Sequence, residues 1–458
     1  KHYSQLIFHL YFRMDGKELY SRIVPNDSQN CPAKAAINID YDYFLNDFSK
    51  RRTPSMLREI THVISKMTKP PISFGVGVPN VNTFPFEKFE VKMKDGSKYD
   101  IEGSELEAAL QYVPSKGYGP LLTKLYNLQD LTHGMQDWKS RGVLVTSGAQ
   151  ESLHDVLQMC VSPGTSVIIP NPSYPGTIDI VRPFCPNIIS IEQDKDGPRP
   201  DILQQKLEHC KKEGIPLPKI MYINPTGCNP SGVTVPTERK IIIYKLACKY
   251  NFLIIEDDPY FFLHFMEKDP VSFLSLDTEG RVLRLDSLSK ILSSGLRIGF
   301  LTGPLPLIRR IELHVQVSTL QTSSLSQVFV NNLLEQWGNN GFENHINKVK
   351  AFYKSKKDCL IIACKKYLTD LAEWEEPSGG MFLWLKIKVL KDTYHLATKT
   401  CLDKYLVVLP GHPFSVNGTL KQCNYIRLSY SLVEPKEIEE GCKMLADLIR
   451  KELMNNPH

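Results

Sequence analysis

Lys290 closes the segment Ser287-Leu288-Ser289-Lys290, and Arg297 follows seven positions later. Thirty-three residues before the lysine stands Asp257, in Glu256-Asp257-Asp258-Pro259-Tyr260, and 28 before that stands Asn229, inside the turn-rich run Asn224-Pro-Thr-Gly-Cys-Asn-Pro-Ser-Gly232. Further upstream, Ser147-Gly148-Ala149-Gln150 opens a helical pattern. Taken singly, each has an ordinary explanation. An Asp after a strand often caps a helix, a Lys in a Ser-rich loop is often a solvated charge, and Asn-Pro-Thr-Gly is a common turn.

Taken together they suit one kind of chemistry. A phosphate needs helix N-terminal amides, hydroxyls and a guanidinium, as Gln150, Ser287, Ser289 and Arg297 would offer. A pyridine ring used as an electron sink needs a carboxylate to keep its nitrogen protonated, and Glu256-Asp257-Asp258 offers one. Its phenolate oxygen needs donors such as Tyr260 and an Asn, and its aldehyde needs a lysine to form a Schiff base. Those are the requirements of pyridoxal phosphate.

The elements that must position these groups are legible as a series of short, β-branched runs. Val143-Thr146, Ser166-Ile169, Asn187-Ile191, Lys219-Ile223, Phe252-Ile255, Val282-Leu285 and Ile298-Leu301 read as seven strands, several separated by amphipathic helical stretches. That pattern predicts an α/β fold with a mainly parallel sheet covered by helices on both faces. The last two strands are too close for a helical crossover, so one of them is expected to be antiparallel, with Arg297 beginning the seventh. In an open α/β sheet, ligands sit beyond the carboxyl ends of the strands, and the candidate groups all leave such ends. From about Glu343 the texture changes to a charged helix, strands at Met381-Ile387, Leu406-Leu409 and Tyr425-Tyr430, and a last helix near Pro435. This is the signature of a smaller α+β domain. Near the start, Thr53-Pro-Ser-Met-Leu-Arg58 opens a helix with apolar residues at Leu57, Ile60, Val63 and Ile64, and 72–86 reads as an extended loop.

Composition removes other classes. The 458 residues are 42% hydrophobic, 23% charged and 10% aromatic, which is too apolar for a disordered chain. A net charge of +5, from 55 basic against 50 acidic residues, is nearly balanced and argues against a dedicated nucleic-acid binder. The 11 cysteines include no CxxC pair, so they read as reduced thiols without zinc-ribbon spacing, and no metal is expected. No apolar run reaches membrane-spanning length.

These motifs resemble those of the fold-type I pyridoxal-phosphate aminotransferases of class I/II. The resemblance rests on Asn229-Pro-Ser-Gly232, Asp257-Asp-Pro-Tyr260, Ser287-Leu-Ser-Lys290 and Gly295-Leu-Arg-Ile-Gly299. Within that family, Ile72-Ser-Phe-Gly-Val-Gly-Val-Pro-Asn80, Phe84-Pro-Phe86, Leu110-Gln-Tyr112, Val317-Ser-Thr-Leu320 and Gly380-Met-Phe-Leu-Trp384 are most similar to the kynurenine/α-aminoadipate aminotransferases. The resemblance implies ping-pong transfer of an amino group from α-aminoadipate, kynurenine or a related aromatic amino acid to 2-oxoglutarate, as in tryptophan and lysine catabolism. It implies Lys290 as Schiff-base lysine and proton shuttle, Asp257 at the pyridinium nitrogen, and Tyr260 and Asn229 at the phenolate oxygen. Tyr174 would stack on the ring. Gln150, Ser287, Ser289 and Arg297 would hold the phosphate, with Tyr112 reaching into the site of a partner subunit in a homodimer. Arg427 would grip the substrate α-carboxylate, Gly77 and Val78 would line the cleft, and Arg58 would meet the substrate's far end.

Some positions depart from the pattern. Ala149 stands where close relatives carry a Ser, Ser231 replaces a Thr, and His412 stands where relatives have Asn, which suggests local packing. Asn224-Pro-Thr-Gly227 duplicates the Asn-Pro motif, and Asn229 is chosen on its distance to Asp257. The expected organisation is a leader over 1–38, an N-terminal arm over 39–95 serving the small domain and the substrate cleft, a large cofactor domain over 96–342 and a small domain over 343–458. Lys1 to Arg13 holds basic residues and no acid, which suits the tail of a mitochondrial presequence, and Met14 would serve as a start. The compartment expected is cytoplasmic or mitochondrial. A carbon–sulfur lyase on the same fold is the alternative activity. A cofactor-sensing regulator would need an N-terminal DNA-binding module, for which the residues before Arg58 are too few.

Overall fold

Each β-branched run becomes a strand in the computed structural model, which describes residues 39–64, 67–69, 72, 74–75, 77–135, 137–416 and 422–455. The expected leader over 1–38 lies outside the described residues. The described strands are β1 (Phe89–Lys92), β2 (Lys98–Ile101), β3 (Arg141–Thr146), β4 (Ser166–Asn171), β5 (Asn187–Asp194), β6 (Gly197–Pro198), β7 (Ile220–Ile223), β8 (Leu253–Asp257), β9 (Val282–Ser287), β10 (Gly299–Pro304), β11 (Ala372–Trp374), β12 (Phe382–Ile387), β13 (Leu409–Pro410) and β14 (Tyr425–Ser429). The chain divides into two compact units. One comprises the residues up to 161 with 271–343; the other comprises 162–270 with 344–458.

In the first unit β10 lies between β3 and β9 and runs antiparallel to both. This is the antiparallel strand that the short β9–β10 connection demands. The register sets Gly299 opposite both Thr146 and Ser287, so the carboxyl ends of β3 and β9 meet at the start of β10. Arg297 does not begin this strand, as the sequence suggested. It lies two residues earlier, in a left-handed turn (φ 54°) that ends a 3-10 turn over Ser294–Leu296. The β1–β2 hairpin was not foreseen; its turn carries Asp95-Gly96, a turn signal hidden by the charged residues around it.

In the second unit the order is β8-β7-β4-β5-β6, with β8, β7, β4 and β5 mutually parallel and β6 antiparallel to β5. Helices Pro175–Val181, Pro200–Glu213 and Thr237–Tyr250 make the crossovers that parallel pairing requires. All residues of β7 and β8 are buried, as expected of strands covered on both faces. The seven expected strands are therefore present, and the two-residue β6 is an addition. The same unit holds the antiparallel sheet β11-β12-β14-β13. Its inner face packs Leu385 and Ile426 against Leu360 and Cys364 of one helix and Leu445 and Ile449 of the helix Pro435–Asn455. A fully buried aliphatic side chain contributes about 1.5–3 kcal/mol, so this core alone makes the α+β layer cohesive. Of the expected 406–409 run only Leu409 is strand, and the strand continues to Pro410. Tyr405 adopts φ 59° and turns the chain after a 3-10 turn, while Leu406 packs onto the core. No disulfide joins the ten described cysteines.

Candidate functional site

The first unit gathers the groups suited to an anion. The helix Ala149–Cys160 begins directly after β3, and its N-terminus carries a positive dipole end and first-turn amides. Its cap, Gly148, has φ 80° and ψ 166°, a conformation open to glycine alone. A Cβ there would meet Arg297 Nη2 at 2.6 Å. Arg297 Nη2 donates to the Ser147 carbonyl at 2.7 Å and Nη1 to the Ser294 carbonyl at 3.2 Å, so the guanidinium is fixed beside the helix start. The Ser147 N–H donates to the Glu151 carboxylate. The strand register brings Ser287 to the same end, where its Oγ accepts from the Ser289 N–H at 3.2 Å. Lys290 follows, partly buried. Burial, and secondarily the positive charge of Arg297, hold its ammonium below the ordinary lysine value. Gln150 is exposed in the first turn of the helix.

Also in this unit, Arg58 donates from Nη2 to the Leu320 carbonyl at 3.0 Å and lies 5.8 Å over the Tyr112 ring. Its Nε is buried without a partner. Gly77 and Val78 are exposed. The helix Met56–Ile64 turns Leu57, Ile60 and Val63 to solvent, so the apolar stripe read from the sequence is not spent on its own unit.

The second unit gathers the groups suited to an aromatic heterocycle and a carboxylate. Asp257 ends β8, buried, and its Oδ2 accepts from the Tyr222 hydroxyl at 2.8 Å. Tyr260 is buried nearby with its ring edge-on to Phe382; burial, reinforced by Asp257, pushes its hydroxyl well above the ordinary tyrosine value. Tyr174 caps the helix Pro175–Val181, and burial likewise raises its hydroxyl. Its ring lies against Gly176, where a Cβ would meet the ring at 2.4 Å. Arg427, on β14, donates from Nη1 to Asn229 Oδ1 at 2.8 Å. Its guanidinium lies 4.1 Å over the Phe382 ring and 5.1 Å over that of Phe414. Arg427 Nε is buried and has no partner, and burial lowers the group's proton affinity.

Each predicted residue thus falls into one of two sets. Gln150, Ser287, Ser289, Lys290 and Arg297 lie in the first unit, which also holds Arg58, Gly77, Val78 and Tyr112, and Tyr174, Asn229, Asp257, Tyr260 and Arg427 lie in the second. The duplicated motif resolves into two roles: Asn229 faces Arg427, while Asn224 braces the backbone of Asp257 and of Asn229. Sequence reasoning missed Tyr222, Glu151 and Gly176. Nothing in the β-branched pattern of β7 marks its tyrosine as a carboxylate partner. His412 pairs with Asp392 at 3.1 Å and packs edge-on against Tyr394, in keeping with local packing.

The residues present fit pyridoxal phosphate. The glycine cradle beside Arg297 suits a phosphate, a partly buried lysine of lowered basicity suits an aldehyde, and the unpartnered Nε of Arg427 suits a carboxylate. Residues 71–445 match the family model for aminotransferase class I and II. The chain is 41% identical to the mitochondrial kynurenine/alpha-aminoadipate aminotransferase of Bos taurus over 91% of this chain and 100% of the bovine one. It is 38% identical to the Mus musculus protein of the same name, again over 91% and 100%. Among solved structures, the Pyrococcus horikoshii kynurenine aminotransferase in complex with PMP superposes with a TM-score of 0.72 at 29% identity, covering 90% of this chain and 98% of that one. The aminotransferase Aro9 of Candida albicans reaches 0.82 at 26% identity, covering 91% and 99%. A mainly parallel sheet with helices, this lysine motif and these matches lead to one conclusion: the chain belongs to the class I and II aminotransferases of fold type I and is a pyridoxal-phosphate-dependent transaminase.

Proposed function

We propose that the protein moves the amino group of kynurenine, α-aminoadipate or a related aromatic amino acid to 2-oxoglutarate, as a homodimer. The observation that carries the reading is the Arg427–Asn229 pair. A guanidinium fixed by an amide at 2.8 Å, backed by two aromatic faces and left with an unused buried Nε, is shaped for the bidentate grip of an α-carboxylate. The named activities of the bovine, mouse and Pyrococcus horikoshii relatives support the substrate class.

The residue roles follow from their chemistry. Gln150, Ser287, Ser289 and Arg297 would hold the phosphate, and Asp257, Tyr260, Asn229 and Tyr174 would hold the ring. When bound, pyridoxal phosphate supplies an electron sink for the charge left at the substrate's α-carbon. Lys290 Nζ takes the proton from that carbon and returns it on the far side of the transfer. Its lowered basicity makes the neutral, proton-accepting amine available at lower pH. The Asp257 carboxylate holds a proton on the ring nitrogen. The Tyr260 hydroxyl, pushed upward by burial, stays protonated and donates. Arg427 would bind the substrate's α-carboxylate and so restrict its orientation.

Arg58, Gly77 and Val78 are assigned to the distal end of the substrate, and Tyr112 to the partner subunit's site. The outward apolar residues Leu57, Val63, Ile72 and Phe74 support a second copy as occupant, since Ile72 and Phe74 are 93% and 100% exposed in the single chain. The division into arm, cofactor domain and small domain is retained as a functional description. Among the described residues no helix is long and apolar enough to cross a membrane, and the mitochondrial names of the mammalian relatives favour that compartment. A panel of amino donors with 2-oxoglutarate, monitored for the 2-oxo acid and for free ammonia, tests the reading. Keto-acid-dependent transfer from kynurenine or α-aminoadipate is expected. Ammonia release without an acceptor would point to a lyase.

A further inference from the structure

Asp257 is held at two atoms by residues that the sequence did not assign to the site. Tyr222, buried on β7, donates its hydroxyl to Asp257 Oδ2 at 2.8 Å. Asn224, just past the end of β7, donates from Nδ2 to the Asp257 carbonyl at 2.6 Å. The Oδ1 of the same amide accepts from the Asn229 N–H at 2.8 Å. The parallel register explains the arrangement. Ile223 pairs with Glu256, so Asn224 stands level with Asp257, and Tyr222 lies on the same side two residues back. Burial keeps the Tyr222 hydroxyl protonated throughout the working range, so it is a permanent donor. A carboxylate with a permanent donor is favoured in its ionised form and in one rotamer.

We propose that Tyr222 and Asn224 are positioning residues for the reaction: Tyr222 fixes the ionised carboxylate of Asp257, and Asn224 ties the Asp257 backbone to Asn229, whose side chain accepts from Arg427. The proposal rests on the reading that Asp257 serves the cofactor's ring nitrogen. It divides the labour between the two residues. Tyr222 governs proton holding at the ring, and Asn224 governs the substrate clamp.

The test uses the dimeric holoenzyme and the pH titration of the bound cofactor's visible absorbance. Tyr222→Phe deletes one oxygen. The carboxylate becomes more basic and draws the proton off the ring nitrogen, which removes a positive charge from beside the titrating group. Its midpoint should rise by about 0.5–1 pH unit, the size of one hydrogen bond. The kcat should fall several-fold with KM unchanged. In an Asp257→Asn background the same change should add nothing. Asn224→Ala should leave the midpoint in place and raise the KM of the amino donor several-fold. An unmoved midpoint in Tyr222→Phe, together with a large shift in Asp257→Asn, overturns the Tyr222 assignment while leaving Asp257 in its role. An unmoved midpoint in Asp257→Asn overturns the reading of Asp257 itself. An unchanged KM in Asn224→Ala overturns the second half, and this variant decides the matter if Tyr222→Phe yields no folded protein.

Discussion

Arg427 donates to the side chain of Asn229 across a sequence distance of 198 residues, at 2.8 Å, with the Phe382 ring beneath its guanidinium. A strand of the C-terminal sheet and a loop after β7 are thereby joined at one polar contact. The contact leaves Arg427 Nε buried and unused. Arg427→Lys keeps the charge and loses the fork. The expected result is a fall in kcat/KM of roughly 10–100-fold, the equivalent of a charge-assisted hydrogen bond of about 1.5–3 kcal/mol. Steady-state kinetics with kynurenine would check it, and an undiminished kcat/KM would remove Arg427 from the substrate site.

Gly148 is the narrowest point of the anion cradle. Gly148→Ala puts a methyl group 2.6 Å from Arg297 Nη2 on a backbone that only glycine adopts freely. Such strain costs about 1–3 kcal/mol. Cofactor affinity, followed by fluorescence quenching, should drop about tenfold or more, because the guanidinium must move. Equal affinity in the variant would show that Arg297 does not depend on this approach.

Burial and Arg297 hold the Lys290 ammonium below the ordinary 10.5, so the folded protein binds fewer protons than the unfolded chain between the two values. Two consequences follow. The stability of the cofactor-free protein should rise with pH through that window, since the penalty for the buried charge is complete below the folded value and gone above the unfolded one. Capture of pyridoxal by Lys290 should reach its plateau below pH 10.5, and Arg297→Gln should move the rising limb upward. Rapid-mixing absorbance across pH measures the limb. A limb unmoved in Arg297→Gln would mean that burial alone sets the lysine.

The apolar face of the helix Met56–Ile64 predicts self-association. Under the proposal of a homodimer in which Tyr112 serves the partner's site, Leu57→Glu with Phe74→Glu should yield a monomer in sedimentation velocity, with loss of activity. A monomeric wild-type protein of full activity would contradict the assignment.

The sequence carried the large sheet well because branched residues buried on both faces leave an unambiguous trace, as in Leu253–Asp257 and Val282–Ser287. It also placed Asp257 at the end of a strand and Lys290 just past one, as the structure has them, but put Arg297 on a strand that begins two residues later. It did not carry Tyr222. A buried tyrosine in an apolar strand has the same trace whether its hydroxyl meets a carboxylate or a backbone carbonyl. Nor did it separate Asn224 from Asn229 by role, since both precede a proline in the same turn; only the contacts to the Asp257 carbonyl and to Arg427 tell them apart. The start of the expected 406–409 strand failed for a local reason, the left-handed turn at Tyr405, which no apolar pattern records.

The central claim is that Lys290 is the lysine that carries the cofactor and moves the substrate's proton. Borohydride reduction of the holoenzyme followed by peptide mapping tests it most directly. The account predicts a phosphopyridoxyl group on Lys290 alone, and its absence in a folded Lys290→Ala protein that has lost turnover by a factor of about 10²–10⁴ or more. A stable modification on another lysine, or a Lys290→Ala protein that still forms the reducible linkage and turns over, would contradict it.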